Sequence, residues 1–252
     1  GEGAKKAIPI YREFMQAHKI PYTPNAYAPE DGDPVARAKL PAGNQILEIN
    51  AYLSATMQPA EAWQYAASAL NLPFDGATWG ICDLLPAWQE FKAAKGVYEH
   101  ADYARLAVTD QVEPQAPILF VDEYQDVSPL QDALIRQWID QADRVYVAGD
   151  PDQSIYGFRG CSPDLFLSLP AEDRGARDGN RPVSRRCAMR IMTEAERILG
   201  RPANVAPNSR PGRYMREVYT HTPEAFPARI EDALKAHPSG PAFVLSRFRK
   251  HV

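Results

Sequence analysis

The stretch "PILFVDEYQDVSPLQ", residues 117–131, decides how this chain is read. Ile118–Val121 is an apolar run rich in β-formers and of strand length, the pattern of a strand covered on both faces. It stops at Asp122 and Glu123. Ser128 followed by Pro129 is a helix-start signal, and it predicts a helix over "SPLQDALIRQWIDQ", 128–141. "RVYVAGD", 144–150, then predicts a second buried strand. Strand, helix and strand in that order imply a parallel pair joined by a right-handed crossover. Ligands bind such sheets at the carboxyl ends of the strands, where both "DE" and "GDPDQS" fall.

Outward from this unit the texture changes. Residues 1–20 carry Ile8, Tyr11, Phe14 and Met15 at helical spacing, ending before Pro21. Residues 21–45, rich in Pro, Gly and Asp, read as an irregular connector. Helices are expected over 46–54, 59–70, 84–95 (closed by Gly96) and 98–108. After the second strand come a short helix at 163–168, a helix over 188–199, a connector from Gly200 to Pro211, and a strand in "PAFVLSR", 241–247. The expected fold class is α/β: a parallel sheet preceded by a mostly helical, insertion-like segment over 1–110.

The 252 residues suit one large domain or two modest ones, with 45% hydrophobic and 24% charged residues. No run of about 18 apolar residues occurs, so no membrane span is expected. No signal peptide is recognisable, and a cytoplasmic protein is the expectation. The first residue is Gly rather than Met, which fits a processed or partial product. Cys82, Cys161 and Cys187 show no CxxC pairing, which argues against a zinc site or a disulfide framework. A net charge of −4 argues against nucleic-acid binding through bulk positive charge, though a local basic groove remains open. Arg174, Arg177, Arg181, Arg185, Arg186 and Arg190 face only Asp178 within 174–190, and the chain closes on "SRFRKHV".

The residue types at the strand ends point to phosphate chemistry. Asp122 at a strand end can hold Mg²⁺, largely through water, and Glu123 beside it can orient or deprotonate an attacking water. The loop "GDPDQSIYGFRG", 149–160, adds Gln153, able to hydrogen-bond a water and a phosphate oxygen. Tyr156 and Phe158 offer flat faces for bases, and Arg159 can pair with a phosphate. The plainer alternatives are a strand that ends on acidic residues and a turn whose aromatics plug the core.

Taken together, "ILFVDEYQDVSPLQ" and "VYVAGDPDQSIYGFRG" resemble motifs II and III of the UvrD/Rep-like helicases of superfamily 1. "SRRCAMRIMTEAERIL", 184–199, is similar to motif IV, with Ser184 where the family has Asn and Arg185 where it has Tyr. Residues 91–106 resemble the helix before motif II, and "FVLSR" near the end resembles a strand of the second lobe. The resemblance runs over roughly residues 85–250 and is firmest over 117–160.

What the resemblance implies is a RecA-like sheet of the P-loop NTPase type, incomplete here. Residues 111–180 would form part of the first RecA-like domain, and 181–252 the start of the second. It implies ATP and Mg²⁺, with Asp122 on the metal, Glu123 activating the hydrolytic water, Gln153 sensing the γ-phosphate and Arg186 as arginine finger. It also implies single-stranded DNA, or a duplex with a single-stranded tail, as partner of a monomer. Phe158 would stack on a base where the family usually has Trp, and Tyr156 and Arg159 would link that contact to the nucleotide cleft. One departure stands out. No G-x-x-x-x-G-K-[ST] loop occurs in the 252 residues, and Gly43-Asn44 lacks the Lys and hydroxyl it would need. The expectation is an internal piece of a helicase with little ATP turnover of its own. The alternatives are a non-catalytic DNA- or protein-binding module and another Mg²⁺-dependent phosphohydrolase.

Overall fold

The structure, a computed structural model, describes residues 2–24, 26, 39–169, 183–200, 202, 204–207, 209–212 and 235. The Arg174, Arg177 and Arg181 cluster and the strand expected at 241–247 lie outside these residues. The described residues fall into two compact units, one running to Leu169 and one after it.

The first unit opens with helices: α1 (Glu2–Ala17), α2 (Ala42–Ala55), α3 (Trp63–Ala69), α4 (Ile81–Lys95) and α5 (His100–Thr109). Their apolar faces make the core, in which Phe14, Met15, Ile46, Ile49, Leu53, Ala66, Ile81, Leu84 and Trp88 are buried. Helix α2 starts at Ala42, earlier than the expected Ile46. Tertiary packing extends it. Gly43 lies so close to the preceding chain that a Cβ there would sit 2.9 Å from the Pro21 carbonyl oxygen. Asn44 then ties that chain down, accepting from Thr23 N at 3.0 Å and donating to Thr23 O and Ala26 O. Gly96 closes α4 in the left-handed region at φ 62°, as its position in the sequence predicts.

A buried polar network locks the helices together. Lys92, 2% exposed, pairs with Glu99 and Asp102. Glu99 also accepts from Tyr11 Oη at 3.1 Å, Asn50 Nδ2 at 3.2 Å and Trp88 Nε1 at 3.3 Å, joining α1, α2 and α4 at the start of α5. Nothing in the helical patterns of 84–95 and 98–108 announces this. A lysine in an amphipathic helix ordinarily reads as a solvated cation.

Strands β1 (Ile118–Val121) and β2 (Arg144–Val147) pair in parallel, with Ile118 opposite Arg144 and Phe120 opposite Tyr146. Between them runs α6 (Pro129–Gln141), capped as expected. Ser128 Oγ accepts from Gln131 N at 3.4 Å and Gln131 Oε1 accepts from Ser128 N at 2.9 Å. The short helix α7 (Pro163–Leu167) follows the second strand's loop. The strand–helix–strand order and the parallel pairing are as read from the sequence. The burial is not. Both strands alternate between exposed and half-buried side chains, with Phe120 73% and Tyr146 52% exposed. These two rings stack on each other at 4.8 Å. Among the described residues the sheet has only these two strands. The face carrying Phe120 and Tyr146 is left open, while the opposite face is half-buried. What the structure establishes is a helix-rich chain carrying small parallel strand pairs, compatible with part of an α/β domain.

In the second unit, β3 (Val183–Ser184) pairs in parallel with β4 (Asn204–Val205). Helix α8 (Met189–Leu199) comes between them in the chain and is closed by Gly200 at φ 68°. No described helix is long and apolar enough to cross a membrane.

Candidate functional site

The site is built where β1 and β2 end side by side. Main-chain bonds continue the pairing past the strands: Ala148 N donates to Val121 O at 2.8 Å, and Tyr124 N to Ala148 O at 3.0 Å. The chain after β1 therefore lies against the chain after β2, and the two predicted loops are neighbours.

Asp122 and Glu123 both lie beyond the strand and are exposed. The Asp122 carboxylate accepts the Glu123 N–H at 3.0 Å, folding it back over the turn. Glu123 takes φ 55°, a left-handed conformation rarely adopted by a residue with a side chain, and it heads the 3₁₀ turn Tyr124–Asp126. Such backbone persists only where surrounding bonds hold it. An exposed carboxylate such as that of Asp122 is a hard oxygen donor of the kind Mg²⁺ takes while keeping most of its water. Among the described residues no three His, Cys, Asp or Glu side chains form a closed metal cluster.

The second loop is anchored by Asp150. Its carboxylate accepts from Asp152 N at 3.1 Å and from Gln153 Nε2 at 2.7 Å, and its carbonyl accepts from Gln153 N at 2.9 Å. Gln153 is thus held to the strand end with its side chain exposed. Gly149 is required here by space. A Cβ would lie 2.8 Å from Gln125 Oε1 and 3.3 Å from Tyr124 N.

Farther along, Tyr156, Phe158 and Arg159 form one cluster. The Arg159 guanidinium lies 5.0 Å from the Tyr156 ring centre and 5.5 Å from that of Phe158, with the rings 6.0 Å apart. Gly160, at φ 80°, turns the chain beside α2, where a Cβ would collide with the Thr56 side chain. The aromatics are half-buried and do not fill the core.

Residues that sequence reasoning passed over hold this geometry. Tyr124 is fully buried and donates to Asp132 Oδ1 at 2.7 Å. Burial first, then the Asp132 carboxylate, pushes its phenol up. Asp132 is paired with Arg136 at 2.7 Å, and Arg136 donates to Leu165 O and Ser168 Oγ around α7. The carboxylate raises the Arg136 pKa in turn. Gln125, 1% exposed, lies between the loops. The only signal for it was a polar residue inside the quoted motif, which says nothing of burial. Cys161 donates to Asp126 O at 2.9 Å, and burial, then Asp126, raises its thiol pKa.

Arg186 lies in the second unit, exposed, two residues after β3. Asp122, Glu123 and Gln153 are brought to one end of the sheet in the first unit, and Tyr156, Phe158 and Arg159 lie farther along the second loop, close to α2.

This segment of the chain has known relatives. Residues 81–172 match the UvrD/REP helicase N-terminal domain, so the resemblance read from "VDEYQD" and "GDPDQSIYGFRG" holds over this stretch. The match stops short of Arg186. Among individual proteins, an ATP-dependent helicase/nuclease subunit from Lacticaseibacillus casei (strain BL23) is 42% identical over 92 residues, covering 30% of this chain and 7% of its own. ATP-dependent DNA helicase UvrD2 of Mycobacterium tuberculosis (strain ATCC 25618 / H37Rv) is 41% identical over 63 residues, 25% of this chain and 9% of its own. A putative ATP-dependent DNA helicase, YjcD, of Bacillus subtilis (strain 168) is 26% identical over 100 residues, 40% of this chain and 13% of its own. The chain therefore corresponds to a small part of each of these proteins.

Proposed function

We propose that this chain is part of an ATP-dependent DNA helicase or translocase that couples ATP hydrolysis to movement on single-stranded DNA. The observation that carries the reading is the placement of Glu123 and Gln153 on adjoining loops at the ends of two parallel strands, within the stretch that matches the helicase domain. In this reading 111–180 is part of a first RecA-like domain and 181–252 the start of a second.

Each residue then has a task. Asp122 would hold Mg²⁺, which would supply positive charge against the phosphates of ATP. Glu123 takes a proton from the attacking water, and Gln153 donates to a γ-phosphate oxygen. By the resemblance, Arg186 would serve as the arginine finger. Phe158 stacks on a base, with Tyr156 and Arg159 joining that contact to the Asp150–Gln153 loop. Because Arg159 already lies over both rings, an incoming base shares this cluster with a cation. A non-catalytic DNA- or protein-binding module is the second reading.

Single-stranded DNA binding by the chain, measured by fluorescence anisotropy, tests the partner. Phe158→Ala is expected to weaken it by about 1–3 kcal/mol, and unchanged affinity removes the stacking role. Steady-state ATP turnover by the 252 residues alone is expected to be absent or very low. Turnover at the level of an intact helicase would overturn that expectation.

A further inference from the structure

The carboxylate loop and the Gln153 loop are joined through one buried side chain. Gln125 Nε2 donates to Glu123 Oε2 at 2.8 Å, and Gln125 Oε1 accepts the Asp150 N–H at 2.9 Å. Its main-chain carbonyl accepts from Ser154 Oγ at 3.2 Å, just past Gln153. The amide orientation follows from its neighbours. Reversed, its oxygen would face a carboxylate and its NH₂ an N–H, and both bonds would be lost.

We propose that Gln125 is a positioning residue that couples Glu123 to the Asp150–Gln153 loop, so that a change at one loop is felt at the other. The role in hydrolysis rests on the reading of Glu123 and Gln153 given above; the coupling does not.

Three observations converge on it. Glu123 sits in left-handed backbone at φ 55°, and its carboxylate accepts from Gln125 Nε2. Gly149 lacks a side chain where a Cβ would strike Gln125 Oε1, so the second loop is shaped around this amide. Burial at 1% exposure leaves little room for water to replace either bond. The chemistry also selects an amide. Of the residues of this size, Glu offers acceptors only when ionised, and Met offers no N–H; Gln alone donates to a carboxylate and accepts an N–H at once. The Asp150 amide lies in the same turn whose carboxylate holds Gln153 Nε2. A shift of Glu123 toward a water or phosphate would therefore draw on Gln125 and reach Gln153 through Asp150.

The test follows the Asp150 amide by NMR in the labelled 252-residue chain. Glu123→Ala is expected to move the Asp150 resonance and to speed its hydrogen exchange by roughly 2- to 10-fold. In a Gln125→Met background the same substitution should leave Asp150 where Gln125→Met alone puts it. An Asp150 amide indifferent to Glu123→Ala in the wild-type background, or equally sensitive in both backgrounds, overturns the proposal. A merely structural Gln125 would destabilise the chain without abolishing this dependence. If Gln125→Met does not fold, the wild-type background decides: Glu123→Ala should shift the Gln125 side-chain NH₂ signals together with the Asp150 amide. An Asp150 shift with no shift at Gln125 overturns the coupling. The helicase reading fails separately. Its failure would leave single-stranded DNA binding indifferent to Phe158→Ala while the coupling stays intact.

Discussion

The helical part of the first unit and its strand–helix–strand part are stabilised in different ways. The helices bury a continuous apolar core from Phe14 to Trp88. Across 118–160 the buried apolar residues are Tyr124, Val127 and Leu130, while the sheet exposes Phe120 and Tyr146. What holds the candidate site in shape is a set of polar links: Gln125 between the loops, Tyr124 to Asp132, and Arg136 to α7 and the residue just after it. The helices provide stability and the strand ends provide presentation. A site built from hydrogen bonds at a sheet edge keeps its carboxylates in water, where a metal or a phosphate can reach them.

Substitutions can break this contrast, and the largest effect belongs to Lys92. Lys92→Ala leaves the buried Asp102 carboxylate without its main cation and should cost about 3–5 kcal/mol in urea unfolding. A loss below about 1 kcal/mol, the level of an exposed pair, would show that the network is solvated. Next, Ile49→Ala should cost about 2–5 kcal/mol, whereas Phe120→Ala on the open strand face should fall within about 0.5 kcal/mol. Equal losses would erase the difference between the two regions.

Smaller effects sharpen the polar side. Gly149→Ala pushes a methyl against Gln125 Oε1 and should cost about 1–3 kcal/mol, with the Asp150 amide the first to lose protection. Ser128→Ala removes the cap of α6 at about 1 kcal/mol. The weakest effect appears only in alkali. Burial, reinforced by the Tyr65 hydroxyl, pushes Tyr52 up to about 12, and Tyr124 is raised as well. Both hold their protons more tightly folded than unfolded, where the phenol titrates near 10. Their contribution is therefore complete below about pH 10 and is lost as pH rises through the folded values. Urea midpoints should be level up to that point and fall beyond it, less steeply in Tyr52→Phe.

Much of the local structure was legible because its signals are local. Ser128-Pro129 starts α6, Gly96 ends α4, and four β-formers before Asp122 make β1. The strand–helix–strand order brought Asp122, Glu123 and Gln153 to one sheet end, since parallel strands place their carboxyl ends together. The burial of Gln125 was not legible, nor was that of Lys92. A polar side chain is buried only when partners distant in sequence, such as Asp150 or Tyr11 and Asn50 around Glu99, arrive to satisfy it.

Within 118–150 the sequence by itself determined the elements, their order, the parallel pairing and the residues at the strand ends, whereas the short pair at 183–184 and 204–205 was not read from it. Hydrophobic period, caps and connection length act over a few residues and are written there. The tertiary structure alone decided that Phe120 faces outward and that Glu123 adopts left-handed backbone. It alone decided that Gln125 bridges the loops. Each of these depends on what packs alongside, and solvent exposure belongs to the assembled surface rather than to any stretch of chain.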